Sequence, residues 1–140
     1  LLAGSIAAAL GIGHPYWAMV SAVVPISAGA FAAGLARGTQ RILGTTLGVL
    51  LAAGVLLLDP SALAVVLLIA LIAFGAELLV GRNYGLAMVF VTPLALLSVH
   101  LASPTPVDQL LVDRLVESVI GALIGIGVGF ATRRWGSLPR

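Results

Sequence analysis

Long stretches of the chain carry no charged residue, and short polar segments separate them. The charge-free runs cover residues 1–36, 42–58, 60–76, 83–107 and 118–132. A hydrocarbon core of about 30 Å takes roughly 20 helical residues to cross, so these runs are close to the length of membrane helices, and the first can hold two. The pattern predicts an all-α integral membrane protein with six transmembrane helices.

The polar and proline positions give the expected helix boundaries. Residues 1–13 reach only about 20 Å at 1.5 Å per residue, so we expect a truncated first helix. The second helix is predicted to run from Pro15 to about Leu35, with Pro25 near its middle. Arg37 and Arg41 then mark the turn into the third helix.

The remaining boundaries follow in order. The third predicted helix ends at residues 59–61, the fourth runs to about Val80, and the fifth runs from Tyr84 to about His100 with Pro93 near its middle. Thr105 and Asp108 resemble a capping box that opens the sixth helix. We interpret residues 1–140 as one six-helix domain, an excerpt or half of a longer chain.

Composition agrees with a membrane protein. The 140 residues are 61% hydrophobic and 9% charged, and the mean hydropathy is +1.20, outside the range of soluble domains. A net charge of +2 does not predict nucleic-acid binding. The chain contains no cysteine, which excludes disulfides and thiolate chemistry.

The arginines indicate an orientation. Six of the seven basic residues fall on one predicted side, in the second and fourth connections and near the C-terminus. They are Arg37, Arg41, Arg82, Arg133, Arg134 and Arg140. The positive-inside rule therefore predicts that both termini are cytoplasmic, with Arg114 on the opposite side.

Two spacings recur in the two halves of the chain. Tyr16 precedes Pro25 by nine residues, and Tyr84 precedes Pro93 by nine. Glycines also follow Arg41 and Arg114 at the same intervals, seven and thirteen residues later. A 3+3 inverted repeat, as in many transporters, would explain both recurring spacings. It would also bring the breaks in helix hydrogen bonding at Pro25 and Pro93 toward a central site. Chance matches and simple packing kinks are the alternatives.

Charged residues within or beside the helices are the candidates for chemistry. Arg37 and Arg41 lie one turn apart and repel unless an anion or Glu77 lies between them; alternatively, they fix topology and reach lipid headgroups. Arg114 is a candidate anion contact, and Glu117 either pairs with it or takes up protons. Glu77 is the other candidate for proton coupling, or pairs with an arginine.

Small residues form stripes on the third and sixth helices, and these stripes predict close helix packing within the fold or between subunits. The glycines concerned are Gly44, Gly48, Gly121, Gly125 and Gly129. No catalytic triad, phosphate loop or metal-binding cluster is present in the sequence pattern. We therefore expect no enzymatic activity, no cofactor and no metal.

Four segments carry a family resemblance: HPYWAMVSAVV, RGTQRILGTTLG, RNYGLAMVFVTPL and DRLVESVIGALIG. Together they resemble the fusaric acid resistance-like family, which includes the aromatic acid exporters and is related to plant aluminium-activated malate transporters. The resemblance implies a six-helix membrane domain that moves organic anions, often as a dimer or as one half of a longer chain.

The sequence and the resemblance give one functional hypothesis with two alternatives. The hypothesis is efflux of organic anions such as aromatic carboxylic acids across the bacterial inner membrane, with lipid, the anion and a second copy or membrane half as partners. Anions would meet Arg37, Arg41 and Arg82 and pass the openings at Pro25 and Pro93. The alternatives are a passive anion channel and a non-transporting oligomeric scaffold.

Overall fold

The computed structural model describes residues 2–11, 13–27, 31–103 and 106–136, with side chains to residue 132, and all regular structure in these ranges is helical. Six helices follow one another: α1 (Leu2–Ala9), α2 (Pro15–Ile26), α3 (Phe31–Leu57), α4 (Ala62–Val80), α5 (Tyr84–Ala102) and α6 (Val107–Gly136).

Four of these helices are long and apolar enough to cross a membrane: α3, α4, α5 and the Val107–Thr132 part of α6. The other two are short. Helix α2 has 12 residues and α1 has 8, about 18 Å and 12 Å at 1.5 Å per residue. The described residues therefore contain six helices, of which four have the length of membrane spans.

The predicted boundary between the second and third helices is wrong. Helix α2 ends at Ile26, so Pro25 is at its end and not near its middle. Helix α3 begins at Phe31, so Arg37 and Arg41 lie inside it and do not mark a turn. The run of charge-free residues hides this break, because apolar residues continue through the end of one helix and the start of the next.

The other predicted boundaries agree with the structure to within a few residues. Helix α4 ends at Val80, and Asn83 caps α5 by accepting a hydrogen bond from the Leu86 amide at 3.1 Å. Helix α4 is capped by Ser61, which accepts from Ala64 at 3.4 Å. Helix α6 begins at Val107, and the predicted capping residue Thr105 lies outside the described residues.

The packing of the chain divides it into two compact units. Unit 1 contains residues 1–42 and 116–140, and unit 2 contains residues 43–115. Helices α3 and α6 each contribute one part to each unit. Whether the chain acts as the single domain expected from the sequence stays a prediction.

In unit 1, helix α2 lies directly on α6 through two glycines. A Cβ on Gly121 would collide with the carbonyl oxygen of Ala18 and with the Cβ of Ser21. A Cβ on Gly125 would collide with the carbonyl oxygen of Ala22. Glycine at both positions lets the two backbones touch. Helix α2 also packs against α1, with alanines at the contact.

In unit 2, helix α3 lies on α5 in the same manner. A Cβ on Gly44 would lie 2.5 Å from the carbonyl oxygen of Gly85 and 2.6 Å from the Cβ of Met88. A Cβ on Gly48 would lie 2.6 Å from the Cβ of Thr92. In both units, each glycine meets a carbonyl oxygen and then a side chain three residues later on the facing helix.

Candidate functional site

A buried arginine is the central feature of unit 1. Arg41 is 3% exposed and lies ten residues after the start of α3, about 15 Å along the axis. Its Nε donates a hydrogen bond to the hydroxyl oxygen of Ser21 at 2.9 Å. A charged residue inside a candidate membrane span costs about 2.5–3.5 kcal/mol on insertion scales, so its burial calls for a reason beyond topology.

The serine that meets Arg41 is itself held by its own helix. The Ser21 side chain is fully buried, and its hydroxyl donates to the carbonyl oxygen of Trp17 at 2.7 Å. Ser21 also lies where α2 touches α6 at Gly121. The hydroxyl is therefore fixed on both sides, and it orients the guanidinium of Arg41.

A buried carboxylate holds the start of the same short helix. Glu117 is fully buried, and its Oε1 accepts a hydrogen bond from the backbone N–H of His14 at 3.0 Å. His14 is the N-cap of α2 and makes no side-chain cap hydrogen bond. A negative charge at a helix N-terminus is stabilised by the helix dipole, so Glu117 supplies the cap that the sequence of α2 lacks.

Aromatic rings pack together around this N-cap. The His14 ring stacks on Trp17 with ring centroids 4.6 Å apart, and Tyr16 approaches the His14 ring edge-on at 5.8 Å. The neighbouring Ser118 is 1% exposed, and its hydroxyl has no hydrogen-bond partner among the described residues. Unit 1 thus buries two charged groups and two serines along α2.

A cavity of about 550 Å³ opens beside the end of α2. Its walls come from the C-terminal end of α2, the first residues of α3 and the second half of α6. The lining residues are Pro25, Ile26, Phe31, Ala32, Gly34, Leu35, Gly125, Ile126, Val128, Gly129 and Thr132. The cavity is mostly apolar.

Pro25 separates this cavity from the arginine. It lines the cavity, its ring lies against Gly125 and Gly38, and its carbonyl oxygen would be 2.6 Å from a Cβ on Gly34. Ser21 is one helical turn earlier on α2, about 6 Å along the axis. The Ser21–Arg41 hydrogen bond therefore lies about one turn beyond the cavity.

The other predicted site residues differ in their exposure to solvent. Arg37, Arg82 and Glu77 are exposed, whereas Arg114 is 3% exposed. Pro93 is buried in unit 2 and faces Gly48. The structure therefore buries two of the four predicted arginines and one of the two predicted acids.

Gly129 differs from the other four glycines that were predicted to mediate packing. Of the residues that the structure describes, a Cβ on Gly129 would contact Phe31 alone, at the ordinary distance of 3.9 Å. The close contacts of Gly44, Gly48, Gly121 and Gly125 have no equivalent there. Gly129 borders the cavity, and no helix within the described ranges packs tightly against it.

Two partners in the site were not among the predicted site residues. Ser21 occupies the small-residue face of α2 shared with Ala18, Ala22 and Pro25, and a lone polar residue on such a face is the signal that could have indicated it. The backbone N–H of His14 has no sequence signal, because any residue except proline carries one.

We expect Glu117→Ala to lower the thermal stability of the full-length protein in detergent more than Glu117→Gln does. The glutamine keeps a carbonyl oxygen that can accept from His14, whereas alanine leaves the start of α2 without its cap, a loss of about 1 kcal/mol or more. Unfolding midpoints of the two variants measure the difference. Equal midpoints would contradict a capping role for the carboxylate.

Comparison with known proteins identifies the family. A model of the fusaric acid resistance protein-like family matches residues 2–128. The uncharacterized membrane protein YvaC of Bacillus subtilis is 32% identical over 123 residues, which is 86% of this chain and 19% of YvaC. The uncharacterized protein slr1298 of Synechocystis sp. is 31% identical over 136 residues, which is 96% of this chain and 18% of slr1298.

The chain thus spans about a fifth of the length of these two relatives. No solved structure matches it significantly. The match to the family model covers most of the chain, and the helices described above have the apolar length that membrane spans need. The chain belongs to the fusaric acid resistance protein-like family and is a multi-pass membrane protein.

Proposed function

We propose that the chain is part of a membrane transporter for organic anions, with aromatic carboxylates as the substrate class, and that it has no enzymatic activity. The buried Arg41, held by Ser21 inside a candidate membrane span, is the observation that carries this proposal. Membership of the fusaric acid resistance protein-like family supports transport as the general function.

The geometry of an arginine favours a carboxylate ligand. A guanidinium is planar and binds a carboxylate through two parallel N–H groups. An aromatic ring attached to the carboxylate tolerates apolar helix walls, so an aromatic acid satisfies both parts of such a path. Of the two acids predicted for proton coupling, the buried Glu117 is the better placed, because Glu77 is exposed.

We also propose that α1–α3 and α4–α6 are related repeats. Helix α1 packs on α2 as α4 packs on α5. The glycine contacts agree in register: Ala18 corresponds to Gly85, a shift of 67, and Gly121 corresponds to Gly44, a shift of 77. Transporters are often built from two such repeats in opposite orientation.

For α3 and α6, this register differs by one helical turn from the pairing that the recurring arginine–glycine spacing indicated. Arg114 corresponds to Arg37, and Ser118 corresponds to Arg41. The two buried arginines are then not equivalent in the repeat, so the anion contact at Arg41 belongs to one half of the chain. We assign the central role to Arg41 because the Ser21 hydroxyl orients its guanidinium.

Orientation and assembly belong to the same proposal. We place the protein in the bacterial inner membrane with both termini in the cytoplasm, which puts the cavity end of α2 on the cytoplasmic side. A second copy or a second membrane half would complete the transporter. Gly121 and Gly125 contact α2 of the same chain, so they are not available for the subunit contacts that a scaffold would require.

Flux through the full-length protein in proteoliposomes tests the function. We expect uptake of radiolabelled benzoate to saturate with concentration and to accelerate when unlabelled benzoate is inside, because a carrier binds its substrate in each cycle. Benzoate-dependent currents that rise linearly without saturation would show a passive channel. An absence of flux for benzoate and for larger aromatic acids would overturn the proposal.

A further inference from the structure

We infer that the cavity beside α2 binds the apolar part of the transported anion and that Gly129 limits the size of the anion that fits. This inference rests on the proposed transport function. It adds a second contact to the site: Arg41 takes the carboxylate, and the cavity takes the ring and its substituents.

The chemistry of the walls identifies the part of the substrate that fits. Among the described residues that line the cavity, only Thr132 has a polar side chain, and its hydroxyl donates to the carbonyl oxygens of Val128 at 3.0 Å and Gly129 at 3.2 Å. Phe31 and Phe130 form a ring pair at the same end, with centroids 5.9 Å apart. A volume of about 550 Å³ is in the usual range for small-molecule sites.

The position of the cavity connects it to the arginine. Pro25 and Gly125 line the cavity, and the residues one turn earlier on the same helices, Ser21 and Gly121, touch each other where Ser21 binds Arg41. One turn is about 6 Å along the helix axis. The two contacts therefore lie about one helical turn apart on either side of Pro25, and a transported anion meets them one after the other along α2.

Gly129 is the cavity-lining glycine that can accept a larger side chain. At Gly34 and Gly125 a Cβ would collide with backbone carbonyl oxygens, so substitution there would disturb the helix packing. At Gly129 a Cβ meets only Phe31 among the described residues, at the ordinary distance of 3.9 Å. A longer side chain at position 129 would extend into the cavity and reduce its volume.

Gly129→Leu in the full-length protein tests this inference, with Gly127→Leu as the matched control. Both positions are on α6, and a Cβ on Gly127 would have no described residue within 4 Å. We expect Gly129→Leu to lower the uptake of 1-naphthoate by about tenfold or more, the effect that small volume changes have in apolar pockets. We expect benzoate uptake by the same variant to stay within about twofold of the wild type, and Gly127→Leu to transport both acids normally.

Each outcome decides the inference. Unchanged naphthoate uptake in Gly129→Leu would overturn it, and so would an equal loss of both acids, because a size limit must discriminate between them. A change in oligomeric state would show instead that the cavity is a subunit surface. If Gly129→Leu does not fold, Gly129→Ala and Gly129→Val give the same comparison in smaller steps. If the wild type transports both acids and these variants do not change the ratio of naphthoate uptake to benzoate uptake, the size limit is rejected but the transport function stands.

Discussion

Replacing Arg41 with alanine is expected to reduce the flux of aromatic carboxylates through the full-length protein by about two orders of magnitude. The guanidinium is buried and hydrogen-bonded to Ser21, so its loss leaves a carboxylate without a charged partner in a region shielded from water. Removing one partner of such a buried charge pair costs roughly 2–5 kcal/mol. Initial uptake rates of radiolabelled benzoate in proteoliposomes at equal protein content measure the effect.

Three further variants make this result specific. Arg41→Lys keeps the charge but loses the planar fork, so we expect an intermediate flux and a raised KM. Ser21→Ala keeps the guanidinium but removes the hydroxyl that orients it, and we expect a smaller loss. Gln40→Ala changes the exposed neighbour of Arg41 and should transport normally. Wild-type flux in a folded Arg41→Ala protein would exclude Arg41 as the anion contact.

The second large effect is expected from Gly121→Val, which should prevent stable folding. The added side chain would collide with the carbonyl oxygen of Ala18 and with Ser21. The carbonyl belongs to the helix backbone and cannot rotate away, so α2 and α6 must separate, at a cost of about 3 kcal/mol or more. Size-exclusion profiles and unfolding midpoints of the full-length protein in detergent measure the loss.

Gly127→Val is the matched control for this prediction. Gly127 is on the same helix and is exposed, and in the part of the chain that the structure describes nothing lies within 4 Å of a Cβ there. The same substitution there should leave the unfolding midpoint close to the wild-type value, because valine is no worse than glycine in a helix. If Gly121→Val folded normally but changed the oligomeric state, the glycine would serve subunit contacts and not the contact between α2 and α6.

Much of the helix order could be predicted from the sequence, but the α2–α3 boundary could not. Around Val80 and Tyr84 the polar residues 81–83 interrupt the apolar run, so hydropathy marks the end of α4 and the start of α5. Between Ile26 and Phe31 no charged residue interrupts the run, so hydropathy does not mark the end of α2. As a result the sequence placed Arg41 at a turn, although it lies well inside a helix.

The candidate site, too, could be predicted from the sequence only in part. The glycine stripe on the third helix was predicted to mediate close packing, and Arg41, just before Gly44 on that helix, is buried. The partner of Glu117 is a backbone N–H contributed from about a hundred residues away, and backbone groups have no residue identity that a pattern could reveal. The cavity also depends on three helix segments meeting at one end, which no spacing in the sequence encodes.

The glycine seam between α2 and α6 has a consequence for motion. At positions 121 and 125, α6 presents backbone and not side chains, so α2 rests on a smooth surface there. Resistance to sliding along such a surface comes from contacts between carbonyl oxygens and Cα–H groups, worth about 0.5–1 kcal/mol each. An interface of interlocked side chains would resist sliding more, because its side chains would have to repack before the helices could move. A shear of α2 along α6, which would carry Pro25 and Ser21 together, is therefore the displacement that this seam resists least.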